Sequence, residues 1–245
     1  MISICMATYN GEKFVREQLE SILSQLPTDA EIIIADDGST DNTLSIINSF
    51  SDKRIRILPF EKHQGIICNY ERALKAASGE TIFLADQDDV WLPGKVAKVI
   101  HELECCDLVL HDAFMYHKNE VDNSWQRKNT LSSIRPYKTG VLRNWFKNSY
   151  TGCCMAFRRN VLEKALPFPR NLPMHDQWIG IIAEKFFKVK YLAEPLIEYR
   201  QHSKNATHIE NSPASILHKI RWRLNLAISL LKRDFFSTKE RILFG

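Results

Sequence analysis

Glycine-rich phosphate loops are missing from this chain of 245 residues, which contains only nine glycines. No GxGxxG motif follows the first predicted strand, and GxxxxGK followed by Ser or Thr does not occur. Both motifs bind phosphate through backbone N–H groups of glycines at the start of a helix. The sequence therefore argues against a dinucleotide-binding fold and against a P-loop enzyme.

Long apolar runs are missing as well. The first residues do not combine a basic segment with an apolar stretch, so no secretory signal is expected. No window offers about 18 uninterrupted apolar residues, so we expect no membrane-spanning helix and a cytoplasmic catalytic part. The six cysteines form no CxxC pair. In a chain without an export signal they are expected to be free, buried thiols.

Positive charge is concentrated near the C-terminus. Residues 211–245 contain seven basic and two acidic side chains, a net charge of +5, whereas the whole chain carries +4. Because the remainder is slightly acidic, nucleic-acid binding is not expected. Within residues 215–235 apolar side chains recur every three or four positions, which predicts a basic amphipathic helix. Such a helix suits an anionic membrane surface. Packing on its own domain and a homodimer contact are the alternatives.

Residues 1–112 alternate between short apolar segments and amphipathic helical segments. The first strand is predicted over Ile2–Met6, and later strands over Glu31–Ala35, Arg54–Leu58, Thr81–Ala85 and Leu108–His111. Strands that alternate with helices of this length predict right-handed βαβ units and a mostly parallel sheet.

The pattern is irregular after residue 112. Residues 113–140 are polar and resemble loops, with one or two possible strands. Further on we predict a strand at Met155–Phe157, a helix at Asp176–Phe187 and a strand pair in Tyr191–Tyr199 that is broken at Pro195.

Polar clusters follow three of the predicted strands. Thr8-Tyr9-Asn10 follows the first strand, Asp36-Asp37 the second and Asp86-Gln87-Asp88-Asp89 the fourth. Ligands of open parallel sheets bind beyond the carboxyl ends of the strands, so these clusters are expected to meet in one crevice. The alternative is that each Asp or Asn only forms a turn, which is the more common reason to find one alone.

The cluster at Asp86–Asp89 carries the sharpest chemical signal. Three carboxylates in four residues repel each other unless a cation or a donor-rich ligand compensates them. Hard oxygen ligands suit Mg²⁺ or Mn²⁺, and these ions often complete their shell with substrate phosphates. A carboxylate of Asp36-Asp37 could accept the N–H of a uracil or thymine ring, and Tyr9 could stack on that base. A tyrosine with no such role is the alternative.

Five stretches together resemble the family 2 glycosyltransferases with the GT-A fold, and they cover roughly residues 1–206 in the family's order. They are ICMATYNG (residues 4–11), IADDGSTD (34–41), FLADQDDVW (83–91), MHDQW (174–178) and YRQHSKN (199–205). The nearest resemblance is to bacterial enzymes that build O-antigen or capsule. The QxxRW motif and membrane spans of the family's processive synthases are absent, which favours the addition of a single sugar.

The resemblance implies a role for each matching position. Tyr9 and Asp37 would bind the base of the nucleotide, with Thr8 and Asn10 shaping that pocket. Asp86 would contact the ribose or the metal, and Asp88 would bind the metal. Asp176 would be the catalytic base, His202 would contact the metal or the diphosphate, and Arg200 would be a weaker ligand of the diphosphate. Gly152–Cys154 matches a strand near the acceptor. The implied cofactor is Mn²⁺ or Mg²⁺.

Asp176 and His202 also have simpler interpretations. Asp176 opens a predicted helix, where a carboxylate can cap the end or complement the helix dipole. A lone histidine such as His202 is usually a surface or satisfied residue, although Arg200 and Lys204 beside it favour an anionic partner.

The sequence thus predicts an inverting transferase that moves one sugar from a UDP- or dTDP-sugar to an acceptor hydroxyl. The expected acceptor is a lipid-linked saccharide at the inner face of the cell membrane, not a growing polymer. We assign residues 1–112 to nucleotide-sugar binding, 113–210 to the acceptor and catalysis, and 211–245 to a helical tail. A metal-dependent nucleotidyltransferase and a non-catalytic sugar-nucleotide-binding protein are the alternatives.

Overall fold

The structure, a computed structural model, describes residues 1–60, 63–119, 124–202 and 216–243, and in the last helix the side chains of residues 220–233. Its strands are β1 (Ile2–Thr8), β2 (Glu31–Asp36), β3 (Ile55–Ile57), β4 (Thr81–Asp86), β5 (Val90–Trp91), β6 (Leu108–Lys118), β7 (Trp125–Thr130), β8 (Met155–Arg158) and β9 (Val189–Gln201). Its helices are α1 (Val15–Leu23), α2 (Thr43–Ser49), α3 (Ile66–Ala76), α4 (Lys95–Leu103), α5 (Leu131–Ile134), α6 (Val141–Phe146), α7 (Arg159–Ala165), α8 (His175–Phe186) and α9 (Ile216–Leu243).

The described residues form one sheet with the strand order β3-β2-β1-β4-β8-β6-β9-β5, and β7 pairs with β6. The four strands of the first half are parallel, as predicted. Ile4, Ile33 and Phe83 are fully buried in these strands because helices cover both faces of the sheet. The chain leaves β1 toward β2 on one side and returns to β4 on the other. This change of direction opens a crevice at the carboxyl end of β1.

The second half of the sheet is mixed. β8 runs antiparallel between β4 and β6, and β6 pairs with β9 in parallel. The predicted break at Pro195 is wrong, because β9 continues through it as one strand with register shifts near Asp112. A proline has no N–H to donate to the ladder, and the irregular register accommodates it. Gly152–Cys154, predicted to match a strand, forms a 3-10 turn that leads into β8.

The short strand β5 has a large effect on the site, although it was not predicted from the sequence. It pairs antiparallel with β9, with Val90 opposite Glu198 and Trp91 opposite Ile197. In an antiparallel pair, the residues before one strand lie beside the residues that follow the partner position. The end of the Asp86–Asp89 cluster is therefore brought beside the end of β9.

The helix α9 confirms the predicted helical tail. Leu226 and Leu230 are buried on its inner side, and the indole N–H of Trp145 in α6 donates to the carbonyl of Arg223 at 2.8 Å. The helix thus packs on its own domain, as one of the alternatives stated. Among the described residues, no helix has the length and apolarity needed to cross a bilayer. All six cysteines are free, and four of them are buried.

Candidate active site

A cleft of about 410 Å³ opens at the carboxyl ends of β1 and β4. Both halves of the sheet contribute to its walls. The lining includes Thr8, Tyr9, Asp37, Asp86, Gln87 and Asp88 from the first half and Arg135, Asn148, Thr151, Gly152, His175, Asp176 and Tyr199 from the second. Three of the predicted site residues, Asn10, Arg200 and His202, do not belong to this lining. The predicted convergence of the strand ends is therefore observed, and it includes the start of α8.

The two adjacent carboxylates after β2 have different surroundings. Asp36 accepts hydrogen bonds from the Thr8 hydroxyl at 2.7 Å and from the Ser39 N–H at 2.7 Å. These bonds stabilise the turn after β2. Asp37 lies in the cleft wall and accepts the N–H groups of Gln64 at 2.8 Å and Gly65 at 3.0 Å. Thr8 therefore shapes this side of the cleft through Asp36.

Tyr9 presents an exposed ring at the mouth of the cleft. The Gln87 side chain holds the backbone of Tyr9 on both sides, at 2.9 Å to its N–H and 3.0 Å to its carbonyl. The His63 ring lies 5.2 Å from the Tyr9 ring, and its Nδ1 lies 3.0 Å from Asp37 Oδ2. His63 received no role from the sequence, because the loop that carries it has no recognisable pattern.

Asn10 connects the loop after β1 to the loop after β2. Its backbone adopts a φ of 49°, its N–H donates to the Ser39 hydroxyl at 2.9 Å, and its Oδ1 accepts the Thr40 N–H at 2.9 Å. These bonds tie the loop after β1 to the loop after β2. A short polar side chain at a left-handed position suits this task.

The acidic cluster after β4 is divided between the cleft and the protein interior. Asp86 lines the cleft and accepts the Tyr70 hydroxyl at 2.6 Å. Burial, with the nearby charge of Asp88, raises the pKa of Asp86 to about 7. Asp89 is fully buried, and burial raises the pKa of its carboxyl well above the usual range. Only Asp86 and Asp88 are therefore in position to meet a ligand in the cleft.

Asp88 and His202 are in direct contact, with 2.8 Å between Asp88 Oδ2 and His202 Nε2. The His202 ring also stacks on Phe14 at a centroid distance of 4.9 Å, which orients it toward Asp88. Carboxylate oxygens with one imidazole nitrogen form a donor set that accepts a divalent ion such as Mn²⁺. The predicted metal ligands thus fit together in space, with Asp88 at the edge of the cleft.

A second set of potential metal ligands lies beneath the cleft floor. Carboxylate oxygens of Asp86 and Asp89 and the Cys153 sulfur lie within 4.8 Å of one another. Burial raises the pKa of the Cys153 thiol well above its usual range, and a protonated thiol is a poor ligand. The buried Lys95 ammonium donates to the Cys153 carbonyl at 3.0 Å, which also disfavours a second cation. The chemistry of the donors therefore favours Asp88 and His202.

Arg200 has partners that differ from the predicted diphosphate. Its guanidinium lies 2.5 Å from the Glu17 carboxylate and packs over the rings of Phe14 and Trp125, at 5.1 and 5.2 Å. Its backbone N–H reaches Asp89 at 3.3 Å. In this position Arg200 holds the end of β9 against α1 and the loop before β5.

Asp176 occupies the first turn of α8 and lines the same cleft. Its Oδ1 accepts the Gln177 N–H at 2.5 Å and the Asn148 amide at 3.0 Å. Burial raises the pKa of Asp176 to about 6, although Arg135 and the hydrogen bonds favour the charged form. Asn148 and Arg135 are site residues that the sequence did not reveal. The carboxylate is compatible with both a helix-start role and a proton-accepting role.

Comparison with known proteins gives the family. Residues 3–166 match the profile of glycosyl transferase family 2. An uncharacterized glycosyltransferase of Nostoc is 30% identical over 214 residues, covering 83% of this chain and 66% of that protein. The dTDP-rhamnosyl transferase RfbG of Shigella flexneri is 31% identical, with coverages of 82% and 72%. An Escherichia coli UDP-Glc:alpha-D-GlcNAc-diphosphoundecaprenol beta-1,3-glucosyltransferase, WfgD, is 30% identical, with coverages of 75% and 70%.

The chain belongs to glycosyl transferase family 2. It spans about two thirds of the length of the Nostoc relative. Among solved structures, S. aureus TarS with UDP-GlcNAc superimposes with a TM-score of 0.71 at 23% identity, covering 94% of this chain and 66% of that one. The mannosyltransferase PcManGT of Pyrobaculum calidifontis with GDP-Man and Mn²⁺ gives 0.58 at 21% identity, with coverages of 79% and 54%. These similarities confirm the GT-A fold.

Proposed function

We propose that this protein transfers a single sugar from a UDP- or dTDP-sugar to an acceptor hydroxyl, with inversion at the anomeric carbon. One observation carries the proposal. Asp86, Asp88 and Asp176 border the same cleft, which also contains Tyr9 and Asp37. Inverting transfer requires acidic groups for a metal-bound diphosphate and a further carboxylate that can act as the base, and this cleft contains both.

The nucleotide base would bind at the mouth of the cleft. Tyr9 offers an exposed ring for stacking, and Asp37 can accept the N–H of a uracil or thymine. The hydrogen bonds of Thr8 to Asp36 and of Asn10 to Thr40 keep this wall in shape. Stacking on the Tyr9 ring would contribute most of the free energy of base binding. Stacking accepts either uracil or thymine, because each base has a π-face.

Asp88 and His202 would hold Mn²⁺ or Mg²⁺, with Asp86 on the ribose or the metal. When bound, the cation would neutralise the charge of the leaving diphosphate. Arg200 would act on the diphosphate through the position of His202, since Arg200 packs around the same Phe14 ring.

Asp176 would accept the proton of the acceptor hydroxyl as that oxygen attacks the sugar. A general base needs a pKa near the working pH, and burial raises the pKa of Asp176 to about 6. Asn148 and the Gln177 N–H orient the carboxylate, and Arg135 stabilises its charged form.

We assign the first 112 residues to the nucleotide sugar, 113–210 to the acceptor and catalysis, and 211–245 to a tail that addresses the enzyme to a membrane. The names of RfbG and WfgD refer to a dTDP-rhamnosyl donor and to a diphosphoundecaprenol-linked acceptor. By analogy, the acceptor here is a lipid-linked saccharide of O-antigen or capsule synthesis. The enzyme would act at the inner face of the cell membrane.

An exposed apolar stripe on α9 supports the membrane address. Its members are Ile220, Leu224, Ile228 and Leu231, which are 47 to 67% exposed. Arg221 and Lys232 lie beside them and are exposed. Leu142 and Phe146 of α6, next to α9, extend the apolar surface. Apolar side chains flanked by cations complement an anionic headgroup layer. A homodimer contact is the alternative occupant. Ile216 and Leu217, two apolar residues of the amphipathic helix predicted within 215–235, lie outside the side chains described.

The decisive test is transfer from a panel of UDP- and dTDP-sugars with Mn²⁺, comparing the wild-type protein with Asp176→Asn. Loss of a general base is expected to lower turnover by about 10²- to 10⁴-fold. Asp41→Asn is the matched control, because Asp41 accepts the Thr43 N–H at the start of α2 but lies outside the cleft lining. Equal turnover in wild type and Asp176→Asn would refute the mechanism, and release of the sugar 1-phosphate instead of UDP or dTDP would indicate nucleotidyl transfer.

A further inference from the structure

The imidazole of His175 lines the cleft, and the proposed mechanism does not use it. The residue is 3% exposed, and its ring stacks on the ring of Tyr70 at a centroid distance of 4.0 Å and an interplanar angle of 23°. Neither Nδ1 nor Nε2 has a hydrogen-bond partner among the described residues. Two unpartnered nitrogens in one buried ring call for an explanation, because buried polar atoms are normally hydrogen-bonded.

Packing alone does not explain this histidine. A phenylalanine would stack on Tyr70 equally well and would bury no polar atom. The buried His111 offers a contrast, since its Nδ1 is 2.6 Å from the Asp112 carbonyl. The chain also keeps space beside the ring of His175: a Cβ on Gly152 would lie 2.9 Å from its Nε2. Gly152 and His175 both line the cleft, so this buried nitrogen lies close to the cleft wall.

His175 has neighbours on both sides of the space in which the transferred sugar is expected. Its stacking partner Tyr70 donates a hydrogen bond to Asp86 at 2.6 Å, and Asp86 is proposed to contact the ribose or the metal. Its neighbour in the chain is Asp176, the proposed base. In a one-step displacement, the sugar lies between the leaving diphosphate and the base that assists the incoming hydroxyl. Because Tyr70 connects the ring to Asp86 and Asp176 follows it in the chain, His175 is better placed to contact the sugar than the base of the nucleotide.

The chemistry of the ring matches a hydroxyl group. Burial lowers the pKa of His175 to about 3, so the imidazole is neutral at working pH. A neutral imidazole has one donating and one accepting nitrogen, as a sugar hydroxyl both donates and accepts. A phosphate, in contrast, would be better matched by a cation.

We infer that His175 hydrogen-bonds a hydroxyl of the transferred sugar and so determines which donor is accepted. This inference rests on the proposed function and deepens it, because it assigns a sugar-reading residue to the same cleft.

Calorimetry with Mn²⁺ can separate sugar recognition from nucleotide recognition. The probes are UDP with UDP-glucose and dTDP with dTDP-rhamnose, titrated into the full chain of wild type, His175→Phe and His175→Gln. His175→Phe keeps the stacked ring but has no polar atom, whereas Gln keeps a donor and an acceptor. We expect His175→Phe to bind the nucleotide sugar about tenfold more weakly while its affinity for the free diphosphate stays within about twofold. His175→Gln should recover part of the loss.

His111→Phe is the control, because it removes a buried imidazole outside the lining of the cleft and should leave the affinity ratio unchanged. Equal weakening of both probes by His175→Phe would assign the ring to packing and overturn the inference. Unchanged binding of both probes would overturn it as well. If wild type bound neither nucleotide pair, the proposed function itself would fail, which is a distinguishable result.

Discussion

His202 Nε2 lies 2.8 Å from Asp88 Oδ2, although 114 positions separate the two residues in the chain. The contact follows from the antiparallel pairing of β5 with β9, which sets Val90 opposite Glu198. Asp88 precedes β5 and His202 follows β9, so the pairing carries both side chains to the same end of the strands. Phe14 in the loop before α1 then stacks on the histidine.

This contact predicts how activity depends on metal. EDTA should abolish transfer, and Mn²⁺ or Mg²⁺ should restore it. Asp88→Asn should lower activity by about 100-fold or more, because the leaving diphosphate loses its neutralising charge. His202→Ala should mainly raise the Mn²⁺ concentration needed for half-maximal activity. Glu104→Gln is the control, since Glu104 is exposed at the end of α4. Full activity in chelator would exclude this role for Asp88.

The raised pKa of Asp176 predicts an acidic limb in the pH profile. The carboxylate accepts a proton only when it is charged, and its pKa is about 6 because of burial. The value of kcat/KM should therefore rise about tenfold per pH unit below pH 6 and level off above it. Initial rates at constant ionic strength and saturating metal measure this limb. The residual activity of Asp176→Asn should not show it; a profile unchanged by that substitution would assign the limb to another group.

The same pKa shift has a consequence for stability. The pKa of Asp176 is raised above the ordinary value of 3.8, so the folded state binds the proton more tightly than the unfolded state. Wild type therefore loses stability as pH rises from about 4 through 6. Asp176→Asn removes this loss. The variant should therefore be more stable relative to wild type at pH 7 than at pH 4, which urea denaturation at both pH values can show as a larger free energy of unfolding relative to wild type. The same relative stability at both pH values would contradict the burial of a titrating carboxyl here.

The position of Tyr9 predicts a selective effect on donor binding. Tyr9→Ala should raise the KM for the nucleotide sugar about tenfold with little change in kcat, because a stacked base loses its platform. Tyr9→Phe is the matched variant and should behave like wild type, since the ring remains. Values of KM and kcat from initial-rate kinetics check this prediction. Equal loss in both variants would point to the hydroxyl instead of the ring.

The exposed stripe of α9 predicts binding to anionic vesicles. Removing the whole helix would uncover the surface that Leu226 and Leu230 bury, so substitutions in the full chain are the cleaner test. Leu224→Glu combined with Ile228→Glu should abolish flotation with vesicles of phosphatidylcholine and phosphatidylglycerol. Ile100→Glu makes the same kind of change on α4, at a residue 36% exposed, and should float like wild type. Undiminished flotation of the double variant would refute the address, and a change in sedimentation mass would favour the homodimer.

Much of the first half could be predicted because its signals are local. The apolar runs of β1, β2 and β4 are continuous since both faces of each strand are buried, and the periodicity of α1 places Val15, Leu19 and Ile22 on one buried face. Parallel strands end at one edge, so the polar residues after them were expected to meet. Family resemblance added Asp176 and His202, which no local pattern connects.

The remainder depended on contacts that leave little trace in the sequence. Asn148 and Arg135 stand in polar loops, yet they surround Asp176 once the second half of the sheet is assembled. His63 reaches Asp37 across 26 positions from an irregular loop. His175 stood beside the predicted base, but only its unpartnered, buried ring nitrogens single it out.

By itself the sequence determined the alternation of strands and helices in residues 1–112 and the presence of carboxylates where those strands end, because hydrophobic periodicity and turn chemistry act over short distances. Tertiary structure alone decided which of those carboxylates face the cleft. Asp86 and Asp88 border the cleft, whereas Asp89 is buried beneath it. Tertiary structure also decided that Arg200, a predicted ligand of the diphosphate, pairs with Glu17. The physical reason is the pairing of the two-residue strand β5 with β9, an interaction too short to leave a periodic signal and too distant along the chain to be read from neighbours.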